Sequence, residues 1–138
     1  MSCIFCRIIK GEIPCMKLAE TPHALAFLDI SPLSKGHCLV IPKFHAEQLH
    51  QLPDDALAQT AVLLGRVARA VGGQNYNVLQ NNGALAHQAV FHVHFHIIPK
   101  TSQGDGLGIR WNCAEADKGD LASLAKEIVA KMEATPSS

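Results

Sequence analysis

The sequence predicts an antiparallel α+β domain, and three observations predict it. The run His92-Val93-His94-Phe95-His96-Ile97-Ile98-Pro99 alternates histidine with apolar residues at the two-residue period of a strand. On a helix the same histidines would scatter around the cylinder. The other apolar runs are short and separated by tight turn signals, and only two stretches carry a sustained helical repeat.

The elements follow in order. Ser2 can cap a short helix over 3–10 that Gly11 ends. Lys17–Glu20 and Ala24–Leu28 form two strands around Thr21-Pro22-His23, and Asp29-Ile30-Ser31-Pro32 breaks the second. His37–Ile41 is the next strand, closed by Pro42. Pro53-Asp54 opens a long helix with Leu57, Ala61, Leu64, Ala68 and Val71 on its core face, and Gly72-Gly73 stops it. Tyr76–Gln80 is a strand that Asn81-Asn82-Gly83 turns into a polar loop through Gln88. Phe91–Ile98 is the histidine strand, with Val93, Phe95 and Ile97 inward and the three histidines on the other face. Gly104, Gly106 and Gly108 make a flexible loop before Ile109-Arg110-Trp111. Leu121, Leu124, Ala125, Ile128, Val129 and Met132 mark an amphipathic C-terminal helix capped by Asp120, and 135–138 is a tail that frays.

Composition narrows the function. The 138 residues carry twelve basic and twelve acidic side chains, so no charge footprint for nucleic acid or an anionic membrane is visible. No apolar run reaches the ~20 residues of a membrane helix and no cleavable signal precedes Cys3, so the expectation is a cytoplasmic protein, or a nuclear one in a eukaryote. Five cysteines are an odd set in a chain large enough to dispense with staples, which argues against a disulfide framework. Cys3 and Cys6 have a spacing shared by zinc sites and redox motifs. Their place at the chain's beginning, rather than inside a βαβ unit, favours metal. Cys15, Cys38 and Cys113 read as small buried hydrophobes.

Three readings compete for the histidine face: a tris-imidazole metal site, nucleophilic catalysis by one imidazole, or packed histidines without chemistry. His37 and His45, arriving from another strand's ends, weigh against the last. Asn81, Asn82, Gly83 and Gln88 offer neutral hydrogen-bond donors suited to an anion such as phosphate. No Asp or Glu lies within 81–100, so the usual carboxylate base of a zinc hydrolase is missing locally. Imidazole attack on phosphorus is favoured.

At this point the chain resembles the histidine triad (HIT) hydrolases and nucleotidyl transferases, whose hallmark His-x-His-x-His is met by His92-Val93-His94-Phe95-His96. Gly11-Glu12-Ile13-Pro14, Ala26-Phe27-Leu28-Asp29-Ile30-Ser31-Pro32, Gly36-His37, Leu39-Val40-Ile41-Pro42-Lys43 and Asn81-Asn82-Gly83 resemble its Hint branch. The resemblance implies one HIT domain over 1–138, with its core about 3–100 and a loop, helix and tail over 101–138. It implies a two-fold homodimer through the long helix and a sheet edge. It implies a purine nucleoside phosphoramidase that cleaves AMP from an amine or acyl group, with His94 as the nucleophile. His96 and His37 would sit against the phosphate, Gln88 would assist, and Asp29 would take the ribose hydroxyls. Phe27, Ile30 and Leu39 would line the base slot, with Asn81 and Gln88 beside the nucleotide. A structural zinc on Cys3, Cys6, His45 and His92 is implied as well, with His50 a rival for His45, and no organic cofactor. One position departs from the branch: Ala89 stands where a serine often helps protonate the leaving group, a task that would pass to Gln88, His87 or water. Dinucleoside polyphosphate hydrolysis, as in the Fhit branch, and a nucleotide-binding interaction module with incidental catalysis remain as alternatives.

Overall fold

A computed structural model describes residues 2–71 and 73–136. They fall into two compact units, Met1–Gly108 and Ile109–Ser138.

The first unit is built on a five-stranded antiparallel sheet of order β1-β2-β3-β5-β4. Its strands are β1 Lys17–Glu20, β2 Ala24–Leu28, β3 Cys38–Pro42, β4 Tyr76–Leu79 and β5 Phe95–Pro99. Cross-strand partners share a face of the sheet, and register therefore sorts the side chains into two layers. Ala24, Ala26, Cys38, Val40 and Ile97 form one layer, packed on Leu63, Val67 and Ala68 of helix α2 (Asp54–Val71). Leu25, Phe27, Leu39 and Ile41 form the other, packed on Phe5 of the short helix α1 (Ile4–Ile9). A third cluster, Ala46, Leu52 and Val93, holds the segments flanking the histidines.

Several boundaries differ from the sequence reading, each for a physical reason. Cys3, not Ser2, caps α1: its Sγ accepts from the Cys6 N–H at 3.4 Å. The core stripe of α2 is turned from the expected one: Thr60 is fully buried and Ala61 exposed. Thr60 escapes a polarity count because its hydroxyl donates to the Ala56 carbonyl at 2.8 Å, which lets it sit in the core. β4 ends at Leu79, one residue before Gln80. The histidine strand is five residues long rather than eight. β3 pairs with β5 only from Cys38–Val40 to Phe95–Ile97, so residues 91–94 have no ladder partner. Gly72 and residues 137–138, part of the expected stop and tail, lie outside the described residues.

The second unit holds helix α3 (Lys118–Ala134), capped by Asp117 rather than Asp120: the Asp117 carboxylate accepts from the Asp120 N–H at 3.1 Å. Its Leu121, Leu124, Ile128, Val129 and Met132 are all exposed in the single chain. Of the three cysteines read as buried, Cys38 is buried, Cys15 half-buried and Cys113 exposed. No described helix is long and apolar enough to cross a membrane.

Candidate active site

The face of the sheet away from α2 collects the chemistry. Phe27 pairs with Leu39, Leu39 with His96, and His96 with Leu79, a single row across β2, β3, β5 and β4. His94 lies two residues before His96, its ring centroid 5.0 Å from the His96 ring and 5.1 Å from that of Phe5. His37, at the foot of β3, lies tilted against His96, the ring centroids 5.1 Å apart. His92 and His94 are buried although they precede the ladder.

Backbone groups behind the rings give like side chains different protonation patterns. The His94 Nδ1 lies 2.7 Å from the His92 carbonyl. A carbonyl only accepts, so Nδ1 carries the proton and Nε2 presents a free lone pair. The His92 Nε2 lies 2.8 Å from the Pro42 carbonyl, which puts its proton there and leaves Nδ1 bare. His37 has the opposite tautomer to His94: its Nδ1 accepts from the Leu33 N–H at 3.0 Å, so Nε2 holds the proton. That Nε2 donates to the His96 Nδ1 at 2.9 Å, leaving His96 with an N–H on Nε2.

Burial disfavours the charged form of these rings. It is the first cause lowering the pKa of His37, His92 and His94. His96 is pushed down to about 4 by burial, then by the neighbouring His94 and His37. Asp29 acts against the shift in His37, His94 and His96. One Asp29 oxygen accepts from the Ser31 N–H at 2.8 Å, closing the Asp-Ile-Ser-Pro turn; the other lies 3.4 Å from the His37 Nε2. The same carboxylate thus serves its own turn and faces the histidines. Of the base-slot candidates, Phe27 and Leu39 are buried in the α1-side core, while Ile30 is 93 % exposed.

Cys3, Cys6, His45 and His92 place one ligand atom each within 4.8 Å of all the others. Three sulfur-to-nitrogen separations, Cys3–His92, Cys6–His45 and Cys6–His92, are 3.4–3.6 Å and the two Nδ1 atoms stand 3.1 Å apart. A tetrahedron with zinc–sulfur bonds of about 2.3 Å and zinc–nitrogen bonds of about 2.0 Å has edges of roughly 3.5 Å and 3.3 Å. The donor set therefore fits such an ion. The Pro42 carbonyl behind His92 is the outer partner a metal-bound imidazole requires. Burial and Cys3 raise the Cys6 thiol, so a cation is what would draw out its thiolate. His50, on the 3-10 turn Leu49–Gln51, is exposed and is not among the four. A second cluster, Asp29, His37 and His96, also meets a metal-like spacing. It lacks the right backing: metal on the His37 Nε2 would drive its proton to Nδ1, against the Leu33 N–H.

The polar loop reveals roles the sequence left unread. The buried Gln88 donates both amide hydrogens to backbone, to the Glu47 carbonyl at 2.6 Å and the Val90 carbonyl at 3.0 Å. It accepts from the Gly83 N–H at 2.7 Å. With no N–H to spare, Gln88 shapes the loop rather than donating to a phosphate or leaving group. The Asn81 amide reaches the His87 carbonyl at 3.4 Å. Asn82 accepts from the Leu49 N–H and exchanges two hydrogen bonds with Gln80, tying the loop to the 3-10 turn. Gly83 (φ 89°) and His87 (φ 69°) both sit in the left-handed region, where histidine is far less at ease than glycine.

A family model described as the HIT domain matches residues 10–103. The chain belongs to the HIT family. It is 55 % identical to the adenosine 5'-monophosphoramidase hnt1 of Schizosaccharomyces pombe, covering 96 % of this chain and 100 % of that protein. It is 51 % identical to the adenosine 5'-monophosphoramidase HNT1 of Saccharomyces cerevisiae, covering 96 % of this chain and 84 % of that one. Among solved structures, a hypothetical protein from Leishmania major superimposes with a TM-score of 0.92 at 54 % identity, covering 97 % of this chain and 98 % of that chain. A histidine triad nucleotide-binding protein from Candida albicans superimposes at 0.90 and 44 % identity, covering 96 % and 98 %. The matched residues begin after Cys3 and Cys6.

Proposed function

We propose that this HIT protein is a nucleotide phosphoramidase that releases AMP, or another purine nucleoside monophosphate, from an amine. The observation that carries the reading is the bare Nε2 of His94, held by the His92 carbonyl beside the N–H on the His96 Nε2. The monophosphoramidases named among its relatives support the substrate class.

The His94 Nε2 lone pair attacks the α-phosphorus: a nitrogen–phosphorus bond forms and the phosphorus–amine bond breaks. The amine leaves with a proton from water, because Gln88 has no free N–H and Ala89 no hydroxyl. Water then attacks phosphorus, the His94 bond breaks and the monophosphate departs. His96 donates to the phosphate oxygens through Nε2–H, and His37 keeps it in that tautomer. Asp29 accepts from the ribose hydroxyls, and Phe27, Ile30 and Leu39 face the base. Incubation with an adenylated amine yields a transient protein adduct of AMP mass in wild type and none in His94→Ala. Equal turnover by the two proteins overturns the reading, and faster hydrolysis of a diadenosine polyphosphate than of the adenylated amine replaces it.

Cys3, Cys6, His45 and His92 would hold a structural zinc, which closes a tetrahedron and pins the start of α1 to the histidine segment. In the same proposal the chain forms a two-fold homodimer, which light scattering tests. The edge strand β4 with Tyr76 and Val78 exposed, and Val62 exposed on α2, support that assembly. Five cysteines outside any disulfide agree with work in the reducing cytoplasm.

A further inference from the structure

Every residue of α3 is exposed in the single chain, yet its apolar residues are not scattered. Leu121, Leu124, Ala125, Ile128, Val129 and Met132 fall on one side of the helix at 3.6 residues per turn. A 17-residue helix is marginal in water on its own, and a continuous apolar stripe calls for a cover. We propose that α3 pairs antiparallel with the α3 of a second copy of this chain. This surface is separate from the β4 edge and uses none of the groups of the active site.

The stripe is complementary to itself. Its midpoint falls between Lys126 and Glu127, both of which lie on the opposite face of the helix. A two-fold axis across the helix at that height sets Leu121 level with the partner's Met132. Leu124 then faces the partner's Ile128, and Ala125 the partner's Val129, each pair within one residue, or about 1.5 Å, of level. All six apolar residues are covered at once.

Charge identifies the cover as a second α3. Each flank of the stripe carries one acid and one base at opposite ends, Asp120 with Lys131 on one side and Lys118 with Glu133 on the other. The two-fold axis brings like flanks together with their ends exchanged. Asp120 meets the partner's Lys131 and Lys118 meets the partner's Glu133, and the symmetry makes each pair twice. None of these four side chains has an ion-pair partner among the described residues of the single chain. Exposed pairs of this kind add little affinity each and serve to select the partner, while the stripe supplies the burial. Direction comes from the helix dipoles, since the antiparallel arrangement sets the positive end of each helix beside the negative end of the other.

Paired thiols test the proposal in full-length protein carrying Cys113→Ser, which removes the exposed native thiol of the second unit. Leu121→Cys and Met132→Cys are made singly and together, and each protein is treated at micromolar concentration with oxidised glutathione. Within one helix the two positions are about 16 Å apart, too far for a disulfide, whereas across the antiparallel pair they are level. The double variant is expected to give covalent dimer on a non-reducing gel in roughly tenfold excess over either single variant. Adding Ile128→Lys at the centre of the stripe is expected to cut that yield several-fold. Equal yields from the double and single variants overturn the antiparallel pair. A yield that ignores Ile128→Lys overturns it as well, because the link would then report chance collision.

Discussion

Acid should loosen this fold through His96. Its ordinary pKa of 6.5 is pushed down to about 4 in the folded chain, by burial and then by His94 and His37. Above pH 6.5 the ring is neutral in both the folded and unfolded states and makes no difference. As pH falls below 6.5 the unfolded chain takes up the proton while the folded chain refuses it, so stability drops until the folded ring titrates near pH 4. At pH 5 the linkage amounts to about 2 kcal/mol for this one ring, with solvent screening at its half-buried edge trimming the figure. His96→Asn keeps an acceptor for the His37 N–H and removes the titration. Urea unfolding of both proteins at pH 7 and pH 5, with equal metal content, isolates His96 because the other histidines are common to both. The wild-type midpoint is expected to drop further than the variant's, by about 1 M urea. Equal drops would mean that His96 protonates as easily folded as unfolded, and the neutral pair it forms with His37 would have to be abandoned.

Other outcomes follow from single contacts. Gln88→Ala strips a donor from the Glu47 and Val90 carbonyls and is expected to cost about 2–3 kcal/mol in denaturant unfolding. In the same variant, KM is expected to rise as the loop loosens. Cys3→Ser is expected to abolish stoichiometric zinc by elemental analysis and to lower Tm by several degrees; wild type free of zinc when purified without chelator would remove the basis for the site. On the proposed ribose contact, Asp29→Asn is expected to raise KM by about tenfold with a smaller change in kcat.

Much of this was legible in the sequence, and the rest was hidden for particular reasons. β1 and β2 have the bounds their turn residues signal, because Thr21-Pro22 punctuates them unambiguously. The two-residue period correctly put His96 on the face opposite Ile97. It could not show that the ladder starts only at Phe95, since the loss of a partner strand is a property of β3. Thr60 was missed as a core residue because its hydroxyl is satisfied within its own helix turn. The work of Gln88 was invisible because its partners are backbone atoms of Glu47 and Val90, which carry no sequence signature. The exposed apolar stripe of α3 is amphipathic as its period predicts, but periodicity names no partner for it.

The same limit explains why the motif could state that chemistry is present without dividing it. Three histidines two residues apart have equal side chains and, on paper, equal claims to attack, bind metal or hold phosphate. What separates them is the group behind each ring, and every such group is backbone or another histidine. A carbonyl at Pro42 turns the His92 Nδ1 lone pair toward Cys3 and Cys6. A carbonyl at His92 turns the His94 Nε2 lone pair outward. An N–H at Leu33 does the opposite to His37, which makes His37 a donor and His96 a donor after it. Exchanging either kind of backing group would invert the tautomer of the ring in front of it: a carbonyl at Leu33 would put the His37 proton on Nδ1 and free its Nε2 lone pair. The proline that closes β3 and the Ser-Pro turn that places Leu33 thus set the tautomers of the rings in front of them, through atoms that every residue shares.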